Sequence, residues 1–148
     1  MKKLIFAFLL SFSFFGFSQK MKFKNDQILF DKTPIANLTR EKRIFTFSKP
    51  DNSDVYLISV ERCAISGKFY LEFTNSVTKS KNEMPLTEYS AMNEKKYVSI
   101  ALEKAGFVSA DGFQTEKINA FIDGEKFDLA KEYGCKEKHL VYNFLYFA

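Results

Sequence analysis

The sequence predicts an α+β fold: an antiparallel β-meander of about five to six strands, followed by two or three short helices packed on one face. Three observations carry this expectation. Between Arg43 and Thr74, short apolar segments recur at strand spacing with turn formers between them. At Asn93 the apolar period changes to that of a helix. Glycines then stand where helices should stop, at Gly106, Gly124 and Gly134.

The chain begins Met1-Lys2-Lys3, continues as an apolar run from Leu4 to Phe17, and reaches small residues at Gly16 and Ser18. A basic start, an apolar middle and a small-residue end are the three parts of a secretory signal peptide, with cleavage expected after Ser18. The apolar run is only 14 residues, shorter than the roughly 20 that cross a bilayer as a helix. Residues 1–18 are therefore set aside as the leader, and residues 19–148 form one α+β domain. The expected destination is the periplasm or the extracellular space. Removing Lys2 and Lys3 takes 22 basic residues to 20 against 18 acidic ones, a net charge of +2. That balance gives no electrostatic reason to expect nucleic acid as a partner.

Residues 21–25 and 27–30 suit a short opening strand, broken at Asn25-Asp26. Asp31-Lys32-Thr33-Pro34 has turn chemistry, and Ile35-Ala36-Asn37-Leu38 resumes in extended form, so residues 27–38 make a hairpin. Three strands follow at residues 43–48, 54–60 and 68–74. Phe45 and Phe47 point one way in the first, and Phe69, Leu71 and Phe73 share one face of the third. The middle strand, Val55-Tyr-Leu-Ile-Ser-Val60, is apolar on both faces, as expected of a strand flanked on both sides. Residues 75–82 are polar and read either as a loop or as the end of a long hairpin. Residues 83–89 suit one more strand, placed at an edge because Pro85 cannot donate to a ladder.

From Asn93, a good N-cap, Val98, Ala101, Leu102 and Ala105 recur at helical spacing over residues 94–105. A second helix starts at Thr115 with Ile118, Phe121 and Ile122 on its apolar side. Residues 127–133 allow another turn or two. The chain closes with an aromatic run at residues 139–147.

Chemistry-bearing residues are few. Cys63 and Cys135 form a disulfide or remain two buried thiols; sequence alone leaves both open. Cys135 and His139 with Glu137 or Cys63 fall short of the four nitrogen and sulfur ligands of structural zinc. A cysteine nucleophile with His139 as base and Asn143 as orienter has the right residue types but no flanking pattern. Asp111, Asp123, Glu125 and Asp128 cluster in sequence, yet Asp111-Gly112 and Asp123-Gly124 are best explained as turns bracketing the second helix. The helix pair superficially matches a helix-turn-helix, but its second helix offers only Lys117 toward a phosphate backbone. Asn37-Leu38-Thr39 fits the N-glycosylation pattern and reads as a chance match. In the terminal run, Tyr142, Phe144 and Tyr146 share one face if extended, either as a partner surface or as a core strand. No cofactor and no metal is expected.

The leader ending Phe17-Ser18-Gln19, the Ile28–Ala36 hairpin, and the helix at residues 95–106 with Asp111-Gly112 after it resemble small uncharacterised exported proteins of Bacteroidetes-type bacteria. The resemblance implies export and a sheet-plus-helices fold, and it carries no activity with it. The functional expectation is an exported, non-catalytic binding or assembly domain whose partner is an envelope or extracellular protein. The alternatives are a small secreted hydrolase or thiol enzyme using Cys63, Cys135 or His139, and a secreted inhibitor or immunity-type protein.

Overall fold

Seven strands form one antiparallel sheet in which neighbours in space are neighbours in sequence. The architecture comes from a computed structural model that describes residues 21–135. The strands are β1 (Met21–Lys24), β2 (Gln27–Phe30), β3 (Thr33–Glu41), β4 (Ile44–Ser48), β5 (Tyr56–Arg62), β6 (Phe69–Asn75) and β7 (Lys81–Leu86). A 3-10 turn over Ala91–Asn93 leads into α1 (Glu94–Lys104). A two-stranded hairpin of β8 (Val108–Ser109) and β9 (Gly112–Phe113) follows, then α2 (Thr115–Asp123) and α3 (Leu129–Glu132). The α+β meander expected from the sequence is present, with more strands than expected.

The extra strands come from turns that sequence reading placed differently. Asn25 and Asp26 both adopt positive φ, 52° and 60°, and so do Asp31 and Lys32, at 47° and 70°. Two successive left-handed residues make a tight hairpin turn whose twist matches that of the flanking strands. The opening segment is thus the β1–β2 hairpin and not one broken strand. The next turn needs only Asp31-Lys32, so Thr33 and Pro34 belong to β3, with Pro34 opposite Leu29. Proline is tolerated there because β4 pairs only with residues 37–41 of β3, which leaves β3 an open side at Pro34. Just beyond it the register slips, so that Ile35 is the extra residue of a bulge. Lys32 carries a Cβ in a conformation that glycine adopts without strain. Lys32→Gly is expected to stabilise the fold by about 0.5–1 kcal/mol, read as a raised midpoint in thermal denaturation.

The inner face of the sheet is apolar along every central strand. Ile28, Leu38, Phe45, Phe47, Ile58, Leu71 and Phe73 are buried, and they meet Val98 and Leu102 of α1 and Ile118 and Ile122 of α2. Phe73 packs edge-on against Phe107 and Phe121, with ring centroids 5.5 and 5.6 Å apart. Tyr56 donates its hydroxyl proton to Asn119 Oδ1 at 2.6 Å, which ties α2 to β5.

α1 ends as its sequence predicts. Gly106 has φ 77°, its N–H bonds to Glu103 O, and the N–H of Phe107 bonds to Leu102 O, the paired arrangement that closes a helix on a glycine. Its start differs: Asn93 occupies the cap position but is also the last residue of the 3-10 turn, and its side chain makes no capping bond. Salt bridges fasten that end instead, Arg40 to Glu94 at 2.9 Å and Lys95 to Asp26.

The helices do not all share one face. α1 and α2 cover the inner face, whereas the connection between α2 and α3 rounds the β7 edge. Asn82, 3% exposed, points inward from β7 and donates to Phe121 O at 2.7 Å and Glu125 O at 2.9 Å. Its Oδ1 accepts from Phe127 N at 2.9 Å. The next residue, Glu83, points outward and accepts from Leu129 N at 2.6 Å, which sets α3 beyond the edge. Tyr133 then lies 6.3 Å from Tyr70, on the outer face.

Elsewhere the outer face carries Thr46, Leu57, Ser59, Glu72 and Thr74, all half-buried, and Ile44, 41% exposed. The strand apolar on both faces is therefore buried on one: Tyr56 and Ile58 lie in the core, while Leu57 is only half-buried among the described residues. On that face Leu57 stands between Thr46 of β4 and Thr74 of β6.

Candidate functional site

Cys63 follows β5 on the outer face, and Cys135 follows α3 after the turn at Gly134, whose φ is 74°. They are joined as a disulfide with Cα atoms 5.1 Å apart, within the span such a bridge requires. Of the two states left open by the sequence, the structure takes the bridged one. A bridged sulfur is no thiolate, so in this state neither cysteine can act as a nucleophile. His139, with Glu137 and Asn143, lies outside the described residues, and so do the proposed surface residues Tyr142, Phe144 and Tyr146 and the leader, residues 1–18.

The acidic residues grouped in sequence are not brought together as a reactive pair. Asp111 forms the β8–β9 turn, Asp123 closes α2, Glu125 is exposed, and Asp128 accepts from Lys131 N at 3.0 Å as the cap of α3. Among the described residues, no three His, Cys, Asp or Glu side chains gather as a metal-binding group. Asn37 is engaged: its Nδ2 donates to Asn52 Oδ1 at 2.9 Å and to the carbonyls of Lys49 and Pro50 at 3.3 and 3.2 Å. A glycan on that nitrogen would disrupt the turn between β4 and β5, which agrees with a chance sequon.

Two tyrosines near the bridge, Tyr70 and Tyr133, are perturbed by burial, Tyr70 the more strongly. Tyr70, 9% exposed, sits beneath Tyr133, and the Lys68 ammonium lies 4.9 Å from the centre of the Tyr133 ring. Burial pushes the Tyr70 phenol up to about 12, and the carboxylates of Glu83, Glu61, Glu72 and Asp128 add to the shift. The folded state thus keeps a proton that the unfolded state releases near pH 10. This contribution to stability is complete below that pH and is lost as pH rises toward about 12. Burial also raises Tyr56, Tyr89 and Tyr133, so absorbance titration at 295 nm is expected to show several late-titrating tyrosines, the last of which disappears in Tyr70→Phe.

A further concave feature lies at the opposite edge of the sheet. β1 borders a groove of about 820 Å³, whose other wall is α1. Met21 and Phe23 supply its sheet side, and Asn93, Lys96, Ser99 and Ile100 its helix side. Lys95 holds the walls together, paired with Asp26 and with its ammonium 6.0 Å from the centre of the Phe23 ring. A second, smaller groove of about 270 Å³ separates α1 from Met84, Pro85 and Leu86, and Ile100 lines both grooves. α1 therefore lies between the two ends of the sheet.

The two edges are unlike. β7 carries Pro85, and the α2–α3 connection covers its first half, where Lys126 Nζ donates to Lys81 O at 2.9 Å. Among the described residues, nothing pairs with the outward side of β1. Met21 and Phe23 are half-buried toward the groove, and Lys22 and Lys24 are exposed. The ammonium groups of Lys22, Lys24 and Lys96 have no hydrogen-bond or ion-pair partner among the described residues. Sequence reading missed this site, although the alternation Met21-Lys22-Phe23-Lys24 is the signature of a charged edge strand.

No helix among the described residues is long and apolar enough to cross a membrane. No protein-family model, curated protein or solved structure matches the chain at a significant level.

Proposed function

We propose that the chain is an exported, non-catalytic binding domain that assembles with an envelope or extracellular protein. The observation that carries this reading is the open β1 edge beside the groove under α1, a feature suited to holding another chain. The basic, apolar and small-residue order of residues 1–18 supports export. The Cys63–Cys135 bridge supports it too, since disulfides persist in oxidising compartments. The same bridge weighs against the thiol-enzyme alternative. Export with a sheet-plus-helices fold also fits the resemblance to small exported proteins of Bacteroidetes-type bacteria.

The test is made in the native host. The chain is expected in the periplasmic or extracellular fraction, with Gln19 as its first residue and no thiol open to alkylation. A photo-cross-linking side chain at position 22 is expected to give one discrete adduct in that fraction. A cytoplasmic chain that keeps Met1 and two free thiols, or one that gives no adduct, would sink the reading.

A further inference from the structure

We propose that β1 and the groove beside it receive an extended peptide that alternates apolar and acidic residues, added to the sheet as an eighth strand. This rests on the binding-domain reading above and names the chemistry of the partner.

The backbone supplies the first part of the argument. A two-residue turn closes on a hydrogen-bonded pair, here Lys24 and Gln27, and bonded pairs recur at every second residue. Lys24 and Lys22 therefore direct their N–H and C=O groups to β2, while those of Met21 and Phe23 point outward. Two donors and two acceptors stand ready along one edge, and no described residue meets them.

Side chains supply the second part. A strand added beside β1 would send alternate residues to opposite faces. One set would enter the groove against Met21, Phe23 and Ile100 and requires apolar groups. The other set would stand beside Lys22 and Lys24, whose ammonium groups lack partners among the described residues and are exposed on the outer face. Opposite charges at cross-strand positions attract, so this set is acidic. Lys96, exposed at the groove margin, adds a third positive charge, set against the one carboxylate of the lining, Glu103.

The same lysines argue against a second copy of this chain at the edge. Pairing β1 with β1 would set Lys22 and Lys24 against their own kind, a device by which edge strands avoid self-association. The opposite edge offers no equivalent, because Pro85 lacks an N–H and the α2–α3 connection covers the start of β7.

The probe is a fluorescein-labelled peptide alternating valine and glutamate, titrated with the mature chain and read by anisotropy. Saturable binding is expected, and a scrambled peptide of the same composition should bind at least about tenfold more weakly. Lys22→Glu with Lys24→Glu should weaken binding by roughly tenfold and should create binding to a valine–lysine peptide. Because both lysines are exposed, thermal unfolding of this variant should be unchanged. Ile100→Glu should also weaken the valine–glutamate peptide, and by itself it separates the groove from the edge charges. No saturable binding would overturn this proposal, while the native-host adduct at position 22 would still uphold a binding domain. Binding only of a peptide with the sequence of residues 139–148 would overturn the acidic assignment.

Discussion

Replacing Cys63 and Cys135 together by alanine is expected to lower the unfolding free energy by about 4 kcal/mol. The two cysteines are 72 residues apart in sequence, so the bridge closes most of the described chain into one loop. Closing such a loop removes conformational freedom from the unfolded chain, and the effect grows with the logarithm of loop length. The bridge also has a local consequence. It fastens the end of the segment that rounds β7, where four-residue α3 buries only Leu129. A segment with so little apolar burial opens locally before the sheet does. Urea denaturation followed by circular dichroism is expected to give a lower midpoint for the alanine pair and a higher slope, since the unbridged chain exposes more surface on unfolding. An unchanged midpoint would show that the bridge contributes nothing to stability.

The second large effect is expected at Asn82. One buried amide serves four backbone groups: it donates to Phe121 O and Glu125 O and accepts from Phe127 N and Glu83 N. Asn82→Ala leaves these groups without their partner near the edge of the core, and each buried unsatisfied group costs about 1–3 kcal/mol. Water reaches some of them once the side chain is gone, so a total loss of about 3 kcal/mol is expected. Asn82→Asp is the sharper control. It has nearly the same shape but cannot donate to the two carbonyls, and it should cost at least as much as alanine above the pH at which it ionises. Thermal unfolding of the two variants across pH checks both statements, and a near-neutral Asn82→Asp would contradict the hydrogen-bond assignment.

Much of the meander was legible because hairpins are local. Phe45 and Phe47, or Phe69, Leu71 and Phe73, declare their faces within one strand, and the turns between strands carry Pro, Asp, Asn and Gly. The first hairpin was missed because strands of four residues show too little alternation to separate one broken strand from two. Lys32 gives no sign of its left-handed conformation, since lysine is an unusual residue there. Asn82 sits in a polar, lysine-rich stretch that reads either as a loop or as the end of a long hairpin, and the structure makes it the latter, with Lys81 and Asn82 opening β7. Its burial is set by the α2–α3 connection some forty residues later, which no local pattern reports. The Cys63–Cys135 pairing was undecided for the same reason, because proximity is a tertiary fact. The groove was the least visible feature of all. It exists only where α1 comes alongside β1, and neither element carries a motif that names the other.

The lysines of β1 have a plain structural role that needs no partner, protection of an edge against self-pairing. What they do not supply is the apolar groove, with Phe23 and Ile100 on its walls, immediately inside that edge. Edge and groove together fit strand addition better than protection alone.

The central claim is that the outward side of β1 is open in the free protein. Amide hydrogen exchange of residues 21–24 tests it most directly. Slow exchange is expected at Lys22 and Lys24, whose N–H groups face β2, and fast exchange at Met21 and Phe23, with protection of the latter pair appearing when the valine–glutamate peptide is added. Equal protection of all four amides before any peptide is added would show that the edge is already paired, and would contradict the account.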